Sequence, residues 1–150
     1  MKVVIQRVQN ASVEVDQEIV GKINKGLLIF LGINHESTKN DADWLVNKCK
    51  NLRIFDDEDG VMNLSVQDIQ RQILVISQFT LHALTKKGNR PSYIHSAPSD
   101  IAAPLYNYFI STLRTTFAGK VASGSFGADM KVKLLNDGPV TIIIDAHHKE

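Results

Sequence analysis

The chain has 150 residues, 43% hydrophobic and 22% charged, the proportions of a folded water-soluble domain and not of a disordered or fibrous chain. Seventeen Lys and Arg against sixteen Asp and Glu leave a net charge of +1. That balance excludes a globally basic nucleic-acid coater or an acidic tail protein, while leaving room for a local basic patch.

In chain order, Lys2 to Val8 and Ser12 to Val15 are rich in Val and Ile and predict two strands. Glu18 to Ile23 predicts a third, and Lys25-Gly26 is a turn signal before Leu27 to Leu31. That last run is apolar on both faces, which places it centrally in a sheet. A helix follows, capped by Thr38 or Asn40, with Ala42, Leu45, Val46, Cys49 and Leu52 on one face. Cys49, the only cysteine, reads as a buried structural thiol and suits a reducing compartment. Asp56 to Gly60 is a solvated turn, because it lacks the alternating ligands of a calcium loop. Ile73 to Ile76 predicts a strongly buried strand, and His82 to Ser92 a polar loop. A second helix runs from about Ser99 to Phe117, with Ile101, Leu105, Tyr108/Phe109, Thr112 and Leu113 at helical spacing. Strands near Met130 to Leu135 and Val140 to Asp145 close the chain, hinged by Asn136 to Pro139, and His147-His148 read as a frayed tail.

These elements predict one α/β domain over residues 1–150, with 146–150 a flexible tail: a mixed, sheet-rich fold with two principal helices packed on the sheet. A chain of this length buries roughly 70% of its unfolded surface and needs no disulfide or metal to hold a core. No apolar run approaches the roughly 18 residues of a spanning helix, and Gln6 and Arg7 interrupt the N-terminal segment too early for a signal peptide. The expectation is a soluble, cytoplasmic protein without a membrane partner.

No P-loop, dinucleotide glycine motif, nucleophile elbow or zinc-protease spacing occurs, so no cofactor and no metal is expected. Three segments do not read as ordinary core. Ser77-Gln78-Phe79-Thr80 follows a wholly apolar strand, and a strand end places polar groups at a sheet edge where sites form. Strict alternation puts Ser77 and Phe79 on one face and Gln78 and Thr80 on the other. Asn136-Asp137-Gly138-Pro139-Val140-Thr141 is a turn by composition. A Gly-Pro bond also admits a cis peptide, and a rigid carbonyl pair can act as a steric and hydrogen-bonding gate. Lys86, Lys87 and Arg90 lie within five positions on a glycine-loosened loop, either solvated surface or phosphate contacts.

Together these segments resemble the D-aminoacyl-tRNA deacylase (D-tyrosyl-tRNA deacylase) family. Ser77 to Leu81 and Asn136 to Thr141 carry the resemblance, supported by Val4 to Val8, Asn51 to Phe55, Lys87 to Ser92 and Phe126 to Met130. Six segments in family order cover nearly the whole chain, only Ala146 to Glu150 being unmatched. The resemblance implies a homodimer that hydrolyses the ester between a D-amino acid and the terminal adenosine of tRNA. It implies an active site at the subunit interface, where the strand of one subunit carrying Ser77, Gln78, Phe79 and Thr80 meets the Gly138-Pro139 loop of the other. It further implies a cis Gly138-Pro139 bond whose carbonyls gate out L-amino acids while letting achiral glycine pass. Lys86, Lys87 and Arg90 then become tRNA contacts, and Phe126 and Met130 either line the adenosine or aminoacyl pocket or are ordinary core. Arg7 either steadies the Gly-Pro loop through its carbonyls or is a surface arginine.

An activated ester needs mainly an oriented water and donors aimed at the developing oxyanion, and backbone N–H groups near Phe79 and Thr80 suit that task. No His or Lys visibly pairs with Thr80 as base, so the preferred reading has Gln78 and Thr80 shaping the pocket while the ribose 2′-hydroxyl helps activate the attack. His82 stands where many relatives carry tyrosine, and Ser125 where arginine is frequent. A related animal subgroup that edits an L-alanyl error has a Pro-Gln-Ala-Thr stretch, so Ser77 and Phe79 favour the D-specific branch. Two other classes compete: a non-catalytic RNA-binding module, and a general small-ester hydrolase, against which the missing nucleophile elbow argues.

Overall fold

The Val/Ile-rich opening forms a single strand, β1 (Lys2–Val15), where two were expected. Gln9 to Ala11 do not break it, because bulges between Gln6 and Val8 and between Val8 and Asn10 bend the strand while its pairing continues. The computed structural model describes residues 1–149. One edge of β1 pairs antiparallel with β3 (Gly26–Gly32) over its first half and with β2 (Glu18–Ile23) over its second. Its other edge carries β8 (Lys131–Asp145) along nearly its whole length. Beyond β3 come β6 (Gln72–Ser77) and β7 (Val121–Ser123), both parallel, so the sheet is mixed as expected. The short strands β4 (Phe55–Asp56) and β5 (Met62–Leu64) form a separate hairpin around the predicted Asp56 to Gly60 turn.

The period-two alternation of the central strands feeds two cores, one on each face of the curled sheet. Leu27, Ile29 and Leu31 of β3 pack with Val3, Ile5, Ile73 and Val75 beneath the helices. Leu28 turns to the concave side with Val8, Ala11, Val13, Ile23, Leu74 and Ile76. Burial on both faces explains why β3 and β6 read as unbroken apolar runs.

Helix α1 (Lys39–Asn51) starts as expected: the Thr38 hydroxyl accepts from the Asp41 amide while Asp41 accepts from the Thr38 amide. It buries Ala42, Leu45, Val46 and Cys49, and burial pushes the Cys49 thiol up to about 12. Helix α2 (Ser99–Thr116) is rotated from the predicted face. It buries Ala102, Tyr106, Phe109, Ile110 and Leu113, and leaves Ile101 40% exposed. Tyr106 takes a core position because its hydroxyl can donate to the Val75 carbonyl at 3.0 Å.

The two predicted C-terminal strands are one, β8, from which Asp137 to Val140 bulge where a single residue, Arg7, lies opposite. Residues 146–149, expected as part of a flexible tail, carry defined contacts. Ala146 is buried and its amide extends the pairing to the Met1 carbonyl. His147 then sits between Glu36 at 3.6 Å and Asp41 at 3.3 Å, and Lys149 lies over the Trp44 ring. The expectation for Glu150 falls outside the described residues. Among the described residues no helix is long and apolar enough to cross a membrane.

Candidate active site

Strand β6 stops at Ser77, where the chain leaves the sheet through Gln78 (φ −145°, ψ 85°) into a 3-10 turn over Phe79–His82. The expected alternation of faces therefore ends one residue after Ser77. The Gln78 amide is still tied to the Leu31 carbonyl at 2.8 Å, which holds the turn against the end of β3. The Gln78 side-chain amide donates to Thr80 Oγ1 at 2.7 Å. Phe79 projects outward, 58% exposed, and meets Tyr93 edge-to-face at 5.0 Å. The Phe79 carbonyl accepts from Ser96 Oγ at 2.8 Å.

A cleft of about 500 Å³ opens beside this turn. Leu31, Ile33 and Ile76 are apolar parts of its lining, Ser77 and Gln78 bring its polar edge, and Phe79, Phe126 and Met130 line it too. The start of α2 contributes Ser99 and Ala102. The structure thus brings five of the predicted residues together: Ser77, Gln78, Phe79, Phe126 and Met130. Thr80 is not among the lining residues, and its hydroxyl is engaged by Gln78.

Among the described residues no charged or imidazole side chain lines the cleft, so they offer no such general base there. The nearest turn histidine, His82, has its Nε2 buried without a hydrogen-bond partner among the described residues. Burial holds its pKa below the ordinary imidazole value, which disfavours the charged form. What the turn does offer is backbone: neither the Phe79 nor the Thr80 N–H donates to another described backbone group, as expected for the first amides of a helical turn.

The second predicted segment lies elsewhere. The Gly138-Pro139 bond is cis, and both residues are exposed. Gly138 has φ +124°, and a Cβ there would fall 2.8 Å from Val140 Cγ2 and 3.1 Å from Arg7 Nη2. Arg7 is not a surface arginine; it is 7% exposed. Its Nε donates to the Asp137 carbonyl at 3.2 Å, and Nη1 donates to the Ile54 carbonyl at 2.7 Å. Asp56 and Asp137 carboxylates approach it at 3.3 and 3.5 Å. Asn136 completes the brace, donating to the carbonyls of Arg7 and Val140. Arg7 pairs with Leu27 of β3 whereas Ser77 pairs with Leu31, a separation of about 13 Å along that strand at ~3.3 Å per residue. Arg7, Gly138 and Pro139 do not line their own chain's cleft.

Lys86, Lys87 and Arg90 occupy an exposed hairpin closed by mutual Leu84–Ser92 backbone bonds of 2.8 and 3.0 Å. None makes an ion pair among the described residues, and none lines the cleft. Tyr93, which packs on Phe79 and lines the cleft, went unnoticed in the sequence. An aromatic stranded in a polar segment just after Arg90-Pro91 was the available signal.

A single family accounts for the curled mixed sheet. The model of the family described as D-Tyr-tRNA(Tyr) deacylase matches residues 4–145, and the chain belongs to that family. A D-aminoacyl-tRNA deacylase of Flavobacterium psychrophilum is 61% identical over the full length of both chains. One from Fusobacterium nucleatum is 58% identical over 97% of this chain and 95% of that one. Among solved structures, one described as c-Myc DNA unwinding element binding protein is 43% identical, with TM-score 0.92 over 97% of this chain and 98% of the other. A probable eukaryotic D-amino acid tRNA deacylase shares the fold alone, at 17% identity and TM-score 0.80 over 95% and 97%.

Proposed function

We propose that the protein is an aminoacyl-tRNA editing enzyme that hydrolyses the ester of D-aminoacyl-tRNA to free D-amino acid and tRNA. The observation that carries the reading is the uncharged cleft at the end of β6, beside a turn whose leading amides have no backbone acceptor. Water attacks the ester carbonyl carbon, and the Phe79 and Thr80 amides stabilise the oxyanion that develops. The bond from that carbon to the ribose oxygen then breaks, and the ribose oxygen leaves with a proton. With no charged or imidazole base on the cleft wall among the described residues, the substrate's own 2′-hydroxyl assists the attack. Gln78 and Thr80 hold the turn in shape through their 2.7 Å bond.

The chiral gate comes from a second copy. Gly138 and Pro139 are exposed, braced by Arg7, and absent from their own cleft, which suits a loop inserted into a partner's site. Its carbonyls exclude an L side chain, and glycyl-tRNA, having none, is deacylated too. Lys86, Lys87 and Arg90 contact tRNA phosphates.

The hairpin cations, which make no ion pair among the described residues, and the printed name of the 43% identical structure favour one other reading, a nucleic-acid-binding module without turnover. Incubating purified protein with D-Tyr-tRNA, while following tRNA binding over a salt series, separates the two. Released D-tyrosine supports the deacylase; salt-sensitive binding with the ester intact supports the module.

A further inference from the structure

A second cleft, of about 530 Å³, adjoins the first at Phe126, and Gly124 and Ser125 line the second alone. Phe126 lines both clefts. The partition is thin at Gly124, where a Cβ would fall 2.5 Å from Met130 Sδ. Asn107, Ser111, Arg114 and Thr115 recur at helical spacing along α2 and form one wall, which Ser123 and Ser125 face from the end of β7 and the loop after it.

The chemistry of this wall is specific. Arg114 is exposed and its one hydrogen bond among the described residues is a long 3.5 Å contact from Nη2 to the Val121 carbonyl. Among the described residues no carboxylate lines either cleft, so none of them compensates its charge there. The Ser111 and Thr115 hydroxyls spend their hydrogens on helix carbonyls and present lone pairs to the cleft. The side chains of Asn107, Ser123 and Ser125 make no hydrogen bond among the described residues, leaving donors and acceptors unspent. One cation, several acceptors and an adaptable amide match one nucleotide, with a phosphate for the guanidinium and ribose hydroxyls or base N–H groups for the acceptors.

We infer that this second cleft binds the RNA nucleotide immediately 5′ of the terminal adenosine, with Arg114 on its phosphate. The inference rests on the deacylase reading, in which the terminal adenosine enters the first cleft beside Phe126. Kinetics on D-Tyr-tRNA and on the minimal ester D-tyrosyl-adenosine, which lacks that nucleotide, test it. Arg114→Gln raises KM for the tRNA about tenfold at unchanged kcat and makes its log–log salt dependence shallower by about 0.7. Minimal-ester kinetics stay at wild-type values, Arg114→Lys retains part of the affinity, and Ser125→Asp raises the tRNA KM by repulsion. An unchanged tRNA KM and salt slope in Arg114→Gln, or an equal rise for both substrates, overturns the inference. So does equal competition by inorganic phosphate and by a CCA trinucleotide, which would make the cleft a free-anion site. If the wild type hydrolyses neither ester, the deacylase reading has failed before any variant is compared.

Discussion

Thr80 stands just outside the cleft wall, its hydroxyl occupied by the Gln78 amide and with no imidazole or amine aligned to take its proton. A shaping role predicts that Thr80→Ala keeps kcat for D-Tyr-tRNA within about tenfold, whereas a loss of ~10³-fold with intact binding would make Thr80 a direct catalyst. His82 yields a prediction in pH. Burial lowers its pKa, an effect that the Gly32 backbone partly offsets, with Lys2, the amino terminus and Asp145 as the charges that act on it. The folded chain therefore takes up this proton at a lower pH than the unfolded chain, which does so near 6.5. Its contribution to stability is full above that pH and falls as the pH drops through it. Urea melts between pH 8 and 5 should show this loss in the wild type and less of it in His82→Phe; an identical slope in both would remove His82 as the cause. Of these residues the sequence made Arg7's tie to the Gly-Pro loop legible only as one of two options, since neither its burial nor the Ile54 carbonyl beneath it leaves a periodic trace.

Elements were legible wherever period and end signals agreed. Thr38, one of the two caps the sequence offered, announces α1, and the unbroken apolar runs place β3 and β6 at the centre of the sheet. Where tertiary contacts decide, the reading slipped. The bulges that carry β1 past Gln9 to Ala11 depend on β8, more than a hundred residues away, and the rotation of α2 depends on the Tyr106 bond to Val75. The strand β7, three residues long, has too little sequence to show a period. The Asp137 to Val140 bulge is the element on which the proposed gate depends, and its conformation demands glycine. Gly138→Ala places a Cβ against Val140 and Arg7 at φ +124°, and should lower stability by about 1–3 kcal/mol. Thermal melts check this: an unchanged Tm would mean that the loop tolerates a side chain there.

On the scale of the whole molecule, β8 leaves apolar side chains in water beside the gate loop, with Leu134, Leu135 and Ile143 all exposed. An exposed apolar strand on a sheet edge is a pairing surface, and the cleft of one chain lacks the loop proposed to close it. The account therefore predicts a dimer in sedimentation experiments, and Leu135→Glu should shift it towards monomer with loss of deacylation. A monomeric wild type of full activity would contradict the shared site. The sequence suggested this arrangement only through family resemblance, because a site divided between two copies leaves no spacing within one. The most direct test of the central claim is release of amino acid from D-Tyr-tRNA and L-Tyr-tRNA, measured side by side with purified protein. The account predicts rapid loss of the D-ester and an untouched L-ester; loss of both at similar rates would contradict the Gly138-Pro139 gate.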